Sequence, residues 1–150
     1  MEVLRKNITY KVIQELALII ELYEGDLTVE DIIYNKERIA ESENYDSSYD
    51  LILDFRNADL QYMTSDIDRL VAFFKENTIL HQKKKVAYLT SKPNEVVATT
   101  LFTFKIDDFS IEPKTFSTRD AVVAYLNIKG LSSMNLEAHI KELQMLTDLN

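Results

Sequence analysis

Hydrophobic and polar positions follow two different periods along this chain. Between Ile8 and Tyr23 most residues are β-branched, aromatic or aliphatic, alternating with polar residues in the first half and nearly continuous in the second. Two strands are predicted here, the first half-buried and the second more central. Short apolar strands are predicted again at Asp50–Phe55, Lys85–Leu89 and Ile111–Phe116. Together these segments predict a sheet of about five strands.

Helical patterns separate the later strands. Capping-box spacing, a Ser or Thr followed three residues later by an acidic residue, occurs at Thr28–Asp31, Ser65–Asp68 and Ser117–Asp120. Apolar residues at helical spacing follow each of them, and a further helix is predicted from Asn94 to Ile106. Strands that alternate with helices favour a mostly parallel sheet with right-handed crossovers. The two initial strands make the predicted α/β sheet mixed.

The length and composition of the chain exclude several classes of protein. A chain of 150 residues is the size of one domain. The formal net charge of -8 disfavours binding to nucleic acid. The absence of cysteine excludes disulfides and thiolate chemistry. No uncharged apolar run approaches the ~20 residues of a membrane span, and no secretory cleavage site follows the N-terminus. We therefore expect a cytoplasmic protein without an integral membrane segment.

Catalytic and cofactor motifs are missing from the sequence. With only two glycines, the chain contains no P-loop and no dinucleotide-binding fingerprint. His81 and His139 lack partners at metal-ligand spacing, so no metal site is expected. The one basic run, Lys83–Lys85, is interpreted as a solvated loop. We predict that the protein is not an enzyme and has no cofactor.

The order of the predicted elements resembles the SpoIIAA-like branch of the STAS superfamily, which is sometimes grouped with SEC14-type domains. The resemblance covers about residues 8–128, and Tyr125 stands where that family usually has tryptophan. The matching residues are Asp54-Phe55-Arg56, Ala58, Asp66-Ile67, Lys85-Val86-Ala87, Lys114-Thr115-Phe116 and Ala121 with Tyr125-Leu126. The resemblance implies a mixed sheet flanked by helices over residues 1–130.

An amphipathic helical extension is predicted over residues 131–150. Leu136, Ile140 and Leu143 recur there at helical spacing. Within the fold that the resemblance implies, no sheet surface is left for this helix to cover. We therefore expect it to pack on the helical layer or to form the contact of a homodimer.

The resemblance implies a non-enzymatic regulatory or protein-binding module. Its likeness to SEC14 domains implies an alternative, a carrier or sensor of a small apolar, lipid-like ligand. In anti-sigma-factor antagonists of the superfamily, a serine at a helix start is phosphorylated. An ungapped match places Met63 and Thr64 near that serine, but the Asp-Ser-Ser-Gly pattern is absent here. Thr64 and Ser65 are the candidate phosphorylation sites, and helix capping is the alternative role for them.

The most apolar helical segment, Val96–Phe109, is the candidate surface for a ligand or partner. A helix that is apolar on most sides is either buried on two sides or presents an apolar face. The alternative is that it packs on the sheet and on the C-terminal helix as part of the core. The candidate residues are Val97, Leu101, Phe102, Phe104, Ile106 and Phe109.

Asp54 supports a third hypothesis, a phospho-acceptor receiver domain. Such a domain needs an acidic cluster that holds Mg²⁺ and a lysine that pairs with the phosphoryl group. No adjacent acidic pair ends an early strand, and the late strand carries Pro113-Lys114 in reversed order. The sequence therefore favours a receiver domain less than it favours a protein-binding module or a carrier of an apolar ligand.

Overall fold

Within the described residues, six strands form one mixed sheet. The computed structural model describes residues 2–5, 7–60, 64–106 and 111–148. The strands are neighbours in chain order, antiparallel from the first to the third and parallel from the third to the sixth. They are β1 (Glu2–Arg5), β2 (Ile8–Ile13), β3 (Leu18–Leu27), β4 (Asp50–Leu60), β5 (Lys84–Leu89) and β6 (Ile111–Phe116). The predicted mixed, mostly parallel α/β sheet is confirmed, with β1 as an additional edge strand.

Helices cover both faces of this sheet. The three crossovers between parallel strands are α1 (Val29–Ala40), α2 (Thr64–Glu76) and α3 (Pro93–Lys105). Right-handed crossovers that repeat in one direction place their helices on the same face of the sheet. The helices after β6, which are α4 (Arg119–Leu126) and α5 (Ser133–Asp148), cover the opposite face.

Helix starts follow the predicted capping chemistry at α1. The Thr28 hydroxyl accepts a hydrogen bond from the Asp31 backbone N–H at 3.3 Å, and the Asp31 carboxylate accepts from the Thr28 N–H at 3.0 Å. This reciprocal pair satisfies two amides that the helix itself leaves without partners. The predicted capping box is therefore confirmed.

Two other helices begin at neighbours of the predicted residues. Thr118, and not Ser117, caps α4 by accepting from the Ala121 N–H. α3 begins at Pro93, one residue before the predicted cap Asn94. Proline is favoured at the first helical position because it has no N–H to leave unpaired.

The alternation of side chains along the central strands divides the interior into two cores. The first core lies between the sheet and α1–α3, where Ile32, Val71 and Ala98 meet the strands. The second lies between the sheet and α4–α5, where Val122 and Ile140 meet the strands. Because successive residues of a strand point to opposite faces, β3 contributes buried side chains to both cores.

The C-terminal helix α5 packs on the sheet, which corrects the prediction that no sheet surface is left for it and that it lies on the helical layer. The predicted homodimer contact stays a prediction. Leu136, Ile140 and Leu143 are buried in the second core with Leu18 and other strand residues. The reason is topological: α1–α3 occupy one face, and α4 contacts β5 and β6 on the other. The β1–β3 end of that second face is left for α5, which contacts all three strands. The domain boundary at residue 130 stays a prediction.

Replacing Ile140 with alanine tests this packing. Ile140→Ala removes a buried side chain and leaves a cavity against the sheet, so the free energy of unfolding should fall by about 2–4 kcal/mol. Met145→Ala is the matched control on the same helix, because Met145 is 65% exposed. It should change that free energy by less than about 0.5 kcal/mol. Equal denaturant midpoints for the two variants would contradict the packing.

Candidate functional site

A cavity of about 110 Å³ lies in the first core, between the sheet and α1–α3. Most of its wall is aliphatic or aromatic. The apolar residues that line it include Leu51, Leu53, Phe55, Val86 and Ile111 from the strands and Ile32, Ile39, Leu70, Phe74, Ala98 and Phe102 from the helices. For comparison, a dry engineered cavity of about 150 Å³ binds benzene. The space therefore suits a small apolar group.

The cavity wall is polar at one end, around Glu21 of β3. Glu21 is fully buried, and it lies on the α1 side of the sheet because it is two residues from Tyr23 and so shares its face of the strand. The Tyr23 hydroxyl donates to one carboxylate oxygen, and the Lys36 ammonium donates to the other at 2.5 Å. A buried carboxylate needs such partners because removing its charge from water is costly.

Lys84, the first residue of β5, is a second cation in the cavity wall. Its side chain is buried, and its ammonium donates to the Ser47 carbonyl. Burial is the main reason that the pKa of Lys84 falls to about 8, with Lys36 adding to the effect. Among the described residues, Lys84 has no ion pair and no second hydrogen bond. An ammonium has three N–H donors, so two of them remain available for a ligand.

Two tyrosines add hydroxyl groups to the same wall. Burial, followed by the charge of Glu21, raises the pKa of Tyr45 to about 12. The same two causes raise the pKa of Tyr88. Both phenols therefore keep their protons at neutral pH and are hydrogen-bond donors. Within the described part of the chain, neither hydroxyl has a hydrogen-bond partner.

The polar end of the cavity therefore has more donors than acceptors. Its acceptor Glu21 is already engaged at both oxygens, whereas Lys84, Tyr45 and Tyr88 have donors to spare. The charged groups in the wall are one carboxylate and two ammonium groups, which leaves one positive charge in excess. This arrangement can bind an acceptor group and hold the rest of a molecule among apolar side chains.

The sequence-predicted residues of α3 point in different directions. Phe102 lines the cavity, with its ring edge-to-face against Phe74 at a centroid distance of 6.3 Å. Ile106 is fully buried in the first core. Val97 and Leu101 lie on the outer face of the helix, and Val97 is 58% exposed. The helix thus combines the two predicted roles, an inner core side and an apolar outer side.

The C-terminal helix does not cover α3, in contrast to one of the two predicted arrangements. α3 contributes its buried residues to the first core and α5 contributes to the second, on the opposite face of the sheet. Several predicted positions lie outside the described residues. They are Phe109 and the side chains of Phe104, Thr64 and Ser65, although α2 itself begins at Thr64.

Asp54 forms a buried ion pair with Arg56. Its two oxygens accept from Arg56 Nε at 3.0 Å and from Arg56 Nη2 at 2.8 Å, and the Arg56 backbone N–H adds a further bond. A forked pair of this kind satisfies the carboxylate in a fixed geometry. The arrangement accounts for Asp54-Phe55-Arg56, which lies within β4 and not at the predicted strand end, as a structural feature and gives the receiver hypothesis no support.

The two histidines have separate structural contacts. His81 Nε2 lies 2.6 Å from the Phe74 carbonyl, and His139 Nδ1 lies 2.9 Å from the Lys11 ammonium. Burial, with the charge of Lys11, lowers the pKa of His139. In the described ranges, no group of three or more His, Cys, Asp or Glu side chains could hold a metal ion.

The basic run is not the solvated loop that was predicted. Lys83 is exposed, but Lys84 and Lys85 begin β5 and point to opposite faces of the sheet. Lys84 enters the cavity wall, and Lys85 donates to the Tyr125 carbonyl at 3.1 Å. β5 begins at Lys84, one residue before the predicted strand, and the alternation of side chains along it turns Lys84 into the cavity wall.

Glu21 and Lys84 are the main residues that the sequence analysis missed. A usable signal existed for Glu21, because it is a charged residue within the apolar run Leu18–Tyr23. A charge in a buried strand needs a partner and therefore marks a polar site. No comparable signal identified Lys36. Nothing in the sequence of its helix shows that it lies over Glu21, because that depends on how α1 packs on the sheet.

Hydropathy adds one negative result. Across the residues that the structure describes, none of the helices has both the length and the apolar content required to cross a membrane.

Comparison with known proteins supports the fold. No family model matches the chain, and no curated protein matches it. Among solved structures, it is similar to an uncharacterized protein of the DUF3478 family with a SpoIIAA-like fold, from Shewanella loihica PV-4. The two are 15% identical with a TM-score of 0.52, over 80% of this chain and 94% of that one. At this identity the likeness concerns the fold alone. The chain therefore has the SpoIIAA-like α/β fold that its sequence predicted.

Proposed function

We propose that this protein is a non-enzymatic binding module that carries or senses a small apolar ligand. The observation that carries the proposal is the cavity between the sheet and α1–α3, with its mostly apolar wall and its polar groups around Glu21. Binding sites for small molecules commonly combine these two features. The resemblance to SEC14-type domains led to the same function from the sequence.

The cost of an empty cavity supports this function. Protein interiors pack as densely as organic crystals, and an unfilled space forfeits dispersion contacts along its whole wall. The first core nevertheless keeps about 110 Å³ open, lined by large side chains such as Phe55 and Phe102. A ligand would restore those contacts. Burial of its apolar surface would provide the driving force for binding.

Half-buried residues in the cavity wall offer a route for entry. Phe73 and Leu80 line the cavity and are only partly buried, as is Lys36. Leu80 belongs to a short 3-10 turn, Thr78–Leu80, rather than to a long helix. Small displacements of these side chains would open the cavity without disturbing the strands.

Filling the cavity tests the proposed function. Ala98 is buried in the wall, and Ala98→Leu extends a side chain into the space. With benzene as the probe, the wild type should bind, and Ala98→Leu should bind at least about tenfold more weakly because its cavity is occupied. Binding is measured by ligand-observed NMR.

Val97→Leu is the matched control, since Val97 is the preceding residue and lies on the exposed side of α3. It should bind benzene as the wild type does. The proposal fails if benzene does not bind to the wild type, or if Ala98→Leu binds it with unchanged affinity.

A regulatory or protein-binding role is the second candidate. The observation that favours it is the apolar outer face of α3, where Val97 and Leu101 are exposed one helical turn apart. Exposed apolar neighbours of this kind are frequent at protein contacts. For the homodimer expected from the sequence, the occupant of this face would be a second copy of the chain. The cytoplasmic location and the absence of a nucleic-acid partner stay predictions.

Sedimentation equilibrium tests the second candidate. If α3 forms a homodimer contact, the wild type should dimerise and Leu101→Glu should shift it to monomer, because a charge would be buried without a partner. Met134→Glu is the control, since Met134 is 86% exposed on α5, at the opposite face of the sheet. A wild type that stays monomeric at high concentration would exclude this role for the patch.

A further inference from the structure

The polar end of the cavity restricts the chemistry of a ligand. Three side chains in its wall, Lys84, Tyr45 and Tyr88, have hydrogen-bond donors that no described residue occupies. All three side chains line the same cavity, and Lys84 and Tyr88 lie on one face of β5 because they are an even number of positions apart. They therefore offer their donors to the same space.

The acceptors near these donors are already in use. Glu21 accepts from Tyr23 and Lys36. The Asp46 carboxylate accepts from the Ser48 hydroxyl, at 2.6 Å. Asp50 accepts from the Lys85 backbone N–H at 2.8 Å.

Neither of these two aspartates lines the cavity, although both lie close enough to influence Lys84. Inside the cavity, the positive charge of Lys84 is therefore not matched by a carboxylate of its own. A ligand group that is both negatively charged and an acceptor would complete the site.

We infer that the ligand of this cavity is a small apolar carboxylate, whose charged group accepts hydrogen bonds from Lys84, Tyr45 and Tyr88 while its hydrocarbon part fills the apolar space. The inference rests on the proposed function and adds the class of ligand to it. A carboxylate fits better than a larger anion because the cavity holds about 110 Å³ in total. Neutral apolar molecules would fill the space but leave the donors without acceptors.

Buried ammonium groups are costly, which makes Lys84 informative. A lysine that is removed from water without a carboxylate partner destabilises the folded state. Within the described residues the one hydrogen bond of Lys84 is to the Ser47 carbonyl, and the charges of Glu21, Asp46 and Asp50 favour the ammonium without forming an ion pair with it. A binding role explains why a charged residue occupies a position where a methionine of similar length would pack more favourably.

Benzoate and benzyl alcohol provide a matched pair of probes, because they share a ring and differ in charge. At pH 7, below the pKa of about 8 for Lys84, the wild type should bind benzoate at least about tenfold more tightly than benzyl alcohol. Lys84→Met should abolish this preference, because the charged donor that distinguishes the two probes is lost. Calorimetric titration measures both affinities.

The controls separate binding from stability. Lys83→Met removes the neighbouring exposed lysine and should keep the preference for benzoate. Tyr45→Phe should weaken benzoate binding several-fold, because one of the donors to the carboxylate is lost. The thermal midpoint of Lys84→Met should equal or exceed that of the wild type, whereas a structural role for Lys84 would lower it.

The outcomes distinguish the ligand class from the proposed function. If benzene and benzyl alcohol bind but benzoate shows no preference that depends on Lys84, the carboxylate inference is wrong and the apolar carrier remains. If none of the three probes binds, both are wrong. A preference for benzoate that Lys83→Met removes as well would also overturn the inference, since it would reflect general surface charge.

Discussion

The buried carboxylate of Glu21 is the constraint on which the arrangement of the first core depends. A fully buried charge is tolerated only when it is paired and hydrogen-bonded, so Tyr23 and Lys36 must reach it from the strand and from α1. These partners bring polar atoms beneath the helices, where an apolar layer would otherwise close-pack. The cavity lies directly beside these groups. The buried Glu21 carboxylate with its partners and the open space are therefore in the same region of the core.

The second core shows the contrasting solution. On that face, the β3 residues of the core are aliphatic, such as Ile20, and α4 and α5 cover them with Val122, Leu136 and Ile140. The C-terminal helix completes this layer because α1–α3 are all committed to the other side of the sheet. The two faces of the sheet therefore differ in their packing. One face supplies stable packing, and the other retains a space and charged groups that packing alone does not explain.

Most of the fold could be predicted from periodicity, and most of the candidate site could not. Strand runs such as Ile111–Phe116 and the capping box at Thr28 depend on local sequence, and the structure reproduces them. The place of α5 depends on which face the crossovers leave open, which no local pattern records. Similarly, Lys84 looks like part of a solvated basic run until strand alternation turns it inward. Phe102 was found because an apolar helix is itself a local signal, whereas the grouping of Glu21, Lys36 and Lys84 arises only when three elements meet.

The central claim is that the cavity holds an apolar molecule with its carboxylate at the Lys84 end. The most direct measurement is a crystal structure of the protein soaked with bromobenzoate, in which anomalous scattering locates the bromine independently of the protein chain. The account predicts a bromine peak among Phe55, Phe102 and their neighbours, with a carboxylate oxygen within hydrogen-bond distance of the Lys84 ammonium. A cavity closed by side chains, or a bromine peak only at the protein surface, would contradict it.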